Sequence, residues 1–175
     1  EAIRHLTRAG VPTLISFTAS RLNFREFSQV ARLGCQLGVA RVWVDRFVPA
    51  GGGSGLEEQV LTPSQTLELF ELMKSARREI GGKWFRRTEI AMHRALQFLV
   101  SGNRPYRCSA GGSLLTVQPN GDVYPCRRMP LYVGNLIKTP LAEVYWNSEI
   151  LIALRDRGRI SAGCEGCVYA RVCGG

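Results

Sequence analysis

Long apolar runs are missing from this sequence. No stretch in its 175 residues approaches the ~20 that a membrane-crossing helix needs, so no membrane partner is expected. The opening "EAIRHLTRAG" has neither an initiator Met nor the apolar core of a secretion signal. A chain that starts on Glu1 partway into a helical pattern is expected to be a piece of a longer, cytoplasmic protein. Lysine is scarce too, at 3 against 20 Arg, within a net charge of +9. The cations are scattered, as Arg77-Arg78, Arg86-Arg87, Arg127-Arg128 and singles, with no recognition helix or RNA-binding aromatic signature. A solvated basic surface accounts for them better than a nucleic-acid site. Charged residues make up only 21% and hydrophobic ones 45%, which excludes a disordered chain. The length allows one core or two small modules.

The first half reads as alternating helix and strand. "EAIRHLTRAG" spaces Ile3, Leu6 and Ala9 helically and stops at Gly10. "VPTLISFTA" suits a strand buried on both faces. "NFREFSQVARLGCQLG" predicts a helix with Asn23 as cap and Phe27, Val30, Leu33 and Leu37 along one side. "VARVWVDRFVP" is the next strand, closed by Pro49 and "GGGSG". This rhythm predicts parallel α/β units, and two strands cannot close a sheet or barrel, so further strands are expected upstream. "TPSQTLELFELMKSARREI" follows as a helix with Thr62 as cap, Pro63 at its first position and Leu69, Leu72, Met73 and Ala76 on one face. Another helix is expected over Arg87–Leu99, so that 61–103 reads as a helical bridge.

From Cys108 the texture changes. "GGSLLTVQPNGDVYPC" alternates, breaks at Asn120-Gly121 and alternates again, the pattern of a hairpin whose two central residues take positive φ. Cys108 precedes the hairpin and Cys126 closes it. "TPLAEVYWNSEILIALRD" supplies one or two short helices. The terminal "CEGCVYARVCGG" carries Cys164, Cys167 and Cys173. Without a secretion signal, Cys-x-x-Cys spacing favours metal or redox chemistry over a disulfide framework. Spacing alone leaves structural zinc and an iron–sulfur cluster open. A single tetrahedral zinc site would use four of these five sulfurs and leave one idle. The neighbouring glycines, Gly163, Gly166, Gly174 and Gly175, would let backbone N–H groups turn toward sulfur in either case.

The whole arrangement is more specific than its parts. "CSAGG" at 108–112, "PNGDVYPC" at 119–126, "VGNL" at 133–136 and "CEGCVYARVCGG" at 164–175 resemble the SPASM domain, the auxiliary-cluster module of many radical SAM enzymes. That family's pattern ends with further cysteines, the next expected just past Gly175. The stretch from "AGVPTLISFTA" to "RFVPAGGG" is similar to the last part of a radical SAM partial (β/α)6 barrel. The resemblance therefore implies α/β followed by α+β: barrel strands and helices over 1–60, the helical bridge, and a SPASM domain over 104–175 with a β-hairpin.

The resemblance further implies that Cys164, Cys167 and Cys173 hold one auxiliary [4Fe–4S] cluster, and Cys108 with Cys126 another, each completed from downstream. In that family one electron passes to the sulfonium of S-adenosylmethionine, and the resulting 5′-deoxyadenosyl radical takes a hydrogen from substrate. The implied substrate is a peptide or small molecule, with peptide or protein side-chain maturation the expected activity. The implied electron donor is a flavodoxin or ferredoxin. Arg46, Pro49, Ala50 and Gly51, at the end of the last barrel strand, would line the adenosine pocket. The motif Cys-x-x-x-Cys-x-x-Cys that holds the radical SAM cluster does not occur in these residues, so the chain by itself is expected to be inactive. The rival reading is a non-enzymatic zinc-binding interaction module with four cysteines at one tetrahedral site. Cys35 matches nothing in the pattern and reads as a buried core thiol. Arg127 and Arg128 read either as counter-charges to a thiolate-bound group or as exposed cations. Tyr124 and Trp146 read as packing residues. His5 and His93 have surface or core roles.

Overall fold

A computed structural model describes residues 1–81, 88–92, 95–102, 104–105 and 107–173. It divides into two compact units, Glu1–Asn103 and Arg104–Gly175.

In the first unit, helix α1 (Ala2–Arg8) leads through Gly10, at φ 74°, into strand β1 (Leu14–Ala19). A 3-10 turn at Phe24–Glu26 starts helix α2 (Phe27–Gln36), and strand β2 (Arg41–Arg46) follows. Helix α3 (Pro63–Gly81) precedes strand β3 (Glu89–Ala91). The three strands form one parallel sheet in the order β1-β2-β3, with Phe17 opposite Val44 and Val42 opposite Ile90. One core holds the apolar face of this sheet, Phe24 and Phe27, and Leu69, Met73, Ala76 and Ile80 of α3. The α3 start is a reciprocal cap: Gln65 N–H donates to Thr62 Oγ1 (3.2 Å) and Thr62 N–H to Gln65 Oε1 (2.9 Å). Two bidentate pairs, Arg25–Glu68 and Arg32–Glu79, join the segment around α2 to α3.

Several expectations are corrected by this packing. β1 buries one face only: Phe17 and Ala19 are inside, while Leu14, Ser16 and Thr18 are exposed, because α2 and α3 cover the same side of the sheet. The buried face of α2 is Phe27, Ala31, Gly34 and Cys35; Leu33 is exposed. Here small residues let the helix approach the strands closely. Asn23 does not cap α2. Its Oδ1 accepts from Ser20 N–H (2.9 Å) and its Nδ2 donates to the Thr18 carbonyl (3.1 Å), closing the turn after β1. The helix expected over 87–99 is replaced, among the described residues, by β3, a 3-10 turn at Ala95–Gln97 and helix α4 (Phe98–Ser101). Sheet pairing and the Thr88 hydroxyl, which donates to the Val39 carbonyl at 2.6 Å, override helical spacing there. Arg86, Arg87 and His93 lie outside the described residues. The segment read as a bridge is thus half of the first unit's core.

The second unit is a small antiparallel sheet with short helices. Strands β4 (Thr116–Val117), β5 (Asp122–Tyr124) and β6 (Gly134–Asn135) lie in chain order. Helices α5 (Leu141–Asn147) and α6 (Glu149–Arg155) meet at Ser148, whose Oγ accepts from Leu151 N–H. A short helix α7 (Ala170–Cys173) follows near the C-terminus. Val123, Val144 and Leu151 form the centre of this unit's core. The hairpin is present, but its turn differs from the expected one. Gly121 N–H bonds to the Gln118 carbonyl (2.9 Å), so Pro119 and Asn120 take the central positions and Gly121, at φ 85°, follows them. Pro119 has the preset φ that the first central position of such a turn wants.

Candidate metal centre

Cys108 enters a tight turn. The N–H groups of Gly112 and Leu114 both reach the Ser109 carbonyl, at 3.0 and 3.1 Å. Gly111, at φ 68°, is pressed against α6: a Cβ there would sit 2.8 Å from Leu154 Cδ1 and 3.1 Å from Leu151 Cδ2. Its N–H is shared between the carbonyls of Leu114 (3.0 Å) and Pro125 (3.1 Å). That second bond fastens the Cys108 turn to the residue just before Cys126. Beyond Cys126 the chain turns again, with Met129 N–H on the Cys126 carbonyl and Arg128 N–H aimed at Cys126 Sγ (3.4 Å).

The outer faces of the Cys108 turn are held by side chains. Tyr145 O–H donates to the Gly112 carbonyl (2.8 Å), and Arg155 Nη1 donates to the Gly111 carbonyl (3.4 Å). The Arg155 guanidinium also lies over the Tyr145 ring, 4.2 Å from its centroid, and 5.5 Å from that of Trp146. Arg107, next to Cys108, donates to the carbonyls of Asp156 (3.3 Å) and Arg171 (3.4 Å). It therefore ties this segment to α7. None of these three side chains stood out in the sequence. Their partners are backbone carbonyls 33 to 64 residues away, and no local pattern encodes such bonds. Trp146, read as a packing residue, is 65% exposed, and Tyr124 meets Tyr132 edge-on at 6.4 Å.

The terminal cysteines lie on consecutive turns. Cys167 N–H bonds to the Cys164 carbonyl, Ala170 N–H to the Cys167 carbonyl (both 3.0 Å), and Cys173 N–H to the Tyr169 carbonyl (2.8 Å). Gly163 has φ 82°. Cys167 is exposed, Cys164 half-buried and Cys173 buried. Cys35 is buried in the first unit's core. None of the six cysteines is in a disulfide. Among the described residues no three His, Cys, Asp or Glu side chains gather around one point. The donor set is nevertheless all sulfur, and a backbone N–H already points at one of the sulfurs. Both features fit an iron–sulfur cluster.

In the first unit, Arg46 is exposed at the end of β2, opposite Ala19. Pro49 is half-buried, and Ala50 and Gly51 are exposed; Gly51, at φ 60°, starts a 3-10 turn. The sheet face left open by α2 and α3 is polar at its centre. Asp45 is buried there and accepts from Ser16 Oγ (3.5 Å) and Trp43 Nε1 (3.4 Å).

Residues 108–168 match the family model described as SPASM, an iron–sulfur cluster-binding domain. Over nearly its whole length the chain is similar to radical SAM/SPASM enzymes, and its second unit carries the SPASM match. It is 26% identical over 186 residues to an AdoMet-dependent heme synthase of Methanosarcina barkeri, covering 99% of this chain and 53% of that protein. It is 27% identical over 172 residues to a PqqA peptide cyclase of Streptomyces rochei, covering 95% of this chain and 46% of that protein. The chain thus spans about half the length of the curated relatives it matches. The crystal structure of Streptococcus suis SuiB shares the fold with a TM-score of 0.66 at 14% identity, over 87% of this chain and 38% of that one. SPASM domains bind auxiliary iron–sulfur clusters, and the radical SAM relatives use S-adenosylmethionine. Among the described residues no helix is long and apolar enough to cross a membrane.

Proposed function

We propose that this chain supplies the auxiliary-cluster end of a radical SAM enzyme that modifies peptides. In this reading Cys108 and Cys126 hold one cluster, and Cys164, Cys167 and Cys173 hold another. When bound, such clusters accept or pass on single electrons. The residues around them have definable tasks. Arg128 N–H points at Cys126 sulfur, a hydrogen bond of the kind that tunes a sulfur-ligated group. The Gly111–Pro125 bond fastens the turn that Cys108 enters to the residue before Cys126. The first unit is then the end of a partial (β/α)6 barrel, its open polar face around Asp45 turned inward. Arg46, Pro49, Ala50 and Gly51, at the strand ends, would contact adenosine. A flavodoxin or ferredoxin would serve as electron donor. Without a Cys-x-x-x-Cys-x-x-Cys motif, these residues alone would not cleave S-adenosylmethionine.

The observation that carries the proposal is the bond from Gly111 N–H to the Pro125 carbonyl (3.1 Å), which brings two cysteine segments of a SPASM match together. A second reading has some support, since the heme synthase of Methanosarcina barkeri aligns over nearly the whole chain: the substrate would be a heme precursor. The test is anaerobic reconstitution with iron and sulfide, followed by iron, sulfide and zinc counts. Brown protein with matched iron and sulfide, reduced in Cys126→Ser, supports the cluster reading. Colourless protein with stoichiometric zinc would sink it. With a longer protein carrying the SAM-cluster motif, 5′-deoxyadenosine formation that depends on a peptide supports maturation; dependence on a tetrapyrrole supports the second reading.

A further inference from the structure

Resting on the cluster reading just given, we infer that Arg155 and Tyr145 are positioning residues for Cys108. They clamp the Ala110–Gly112 turn from outside and thereby fix Cys108 relative to Cys126.

Four observations converge on that turn. Tyr145 O–H and Arg155 Nη1 bond to two successive carbonyls, those of Gly112 and Gly111. The Gly111 N–H, one peptide earlier, reaches the Pro125 carbonyl. Gly111 is backed by Leu151 and Leu154 with no space for a side chain. The guanidinium is itself held against the Tyr145 ring, at 4.2 Å, so the two clamping groups orient one another. An outward push on Gly111 would therefore break bonds on both sides, and Cys108, three residues upstream, would move with it.

The plain alternative is that Arg155, in the last turn of α6, merely complements the helix dipole. The two ideas differ over lysine. A lysine serves the dipole equally well, but lacks the planar fork that stacks on Tyr145 while donating sideways. The clamp therefore predicts that Arg155→Lys fails and the dipole idea predicts that it succeeds.

The experiment uses the full chain as Arg155→Met, Arg155→Lys and Tyr145→Phe, with two readouts. The first is amide hydrogen exchange of the segment 107–115 in metal-free protein. The clamp predicts about tenfold faster exchange there in Arg155→Met and Arg155→Lys, the effect of losing roughly one to two hydrogen bonds, with β5 unchanged. The second is the iron count and electron paramagnetic resonance spectrum after reconstitution, where both variants should lose iron and change line shape. Exchange like that of the parent in both Arg155 variants overturns the clamp. Faster exchange with an iron count and spectrum identical to the parent overturns the role toward Cys108. If the parent, extended by the downstream cysteines that complete each ligand set, loads no iron, the cluster reading fails while the exchange arm still decides the clamp. Should the Arg155 variants not fold, Tyr145→Phe, which removes one hydroxyl, decides between the two ideas by the same readouts.

Discussion

Replacing Gly34 by alanine sets two known effects against each other. In an exposed helix interior the change would stabilise by about 1 kcal/mol. Gly34, however, sits in α2 where the helix touches the sheet. A Cβ there would lie 2.8 Å from Val42 Cγ2, 3.2 Å from Val39 Cγ2 and 3.3 Å from Ile15 Cδ1. Val39 and Val42 are fully buried, and β-branched side chains have little rotameric freedom with which to yield. Overpacking of this kind costs about 1–3 kcal/mol, so the net change is a loss of about 1 kcal/mol. Urea denaturation followed by circular dichroism would read it as a lower midpoint at constant m-value. Val42→Ala removes the contacting methyl and alone costs about 2 kcal/mol. In the double variant the new methyl occupies part of the vacated space, so the combined loss falls short of the sum by about 1 kcal/mol. A stabilised Gly34→Ala protein, or strict additivity in the cycle, would refute the close helix–sheet contact.

Two further outcomes follow from named bonds. Asn135 is buried and donates to the Asn120 carbonyl and Asp122 Oδ1 (both 2.9 Å), while its Oδ1 accepts from Ile137 N–H (2.8 Å). Asn135→Ala should destabilise by about 2 kcal/mol in chemical denaturation, and an unchanged midpoint would refute its role as the tie between turn and third strand. The Glu68 carboxyl is held below its ordinary 4.5 by hydrogen bonds from Arg25 and then by the adjacent charge. A lowered carboxylate pKa stabilises the fold above the unfolded value, and that contribution disappears as pH falls through the folded one. Glu68→Gln should thus melt slightly lower than the parent at neutral pH and converge with it in acid; a pH-independent gap would contradict the pairing.

The parts of the molecule legible in the sequence are those with local causes. Thr62-Pro63-Ser64-Gln65 announces the start of α3, and Leu69, Met73 and Ala76 are buried as their spacing predicts. Gly10 stops α1, and Pro119 to Gly121 mark the hairpin. The cysteine pattern was legible as a family signature, which the match over 108–168 supports. What escaped was decided at a distance. Ile90 joins a strand because Val42 lies beside it. Leu33 faces water because Ala31 and Gly34 offer a closer fit to the sheet. The bonds of Arg155 and Tyr145 to the Cys108 turn span 44 and 33 residues, and only the folded chain brings those positions together.

The parallel sheet has one more consequence, for tolerance to change. Because its strands run the same way, the segments leaving β1 and β2 emerge at a common edge, and they are laced together through main-chain atoms. Phe47 N–H reaches the Ala19 carbonyl (2.8 Å), and Arg21 N–H the Gln59 carbonyl (3.1 Å). Bonds between backbones are indifferent to side-chain identity. The side chains of Phe47 and Gln59 can therefore change with these two bonds intact, whereas Asn23, whose side chain closes the turn after β1, has no such freedom.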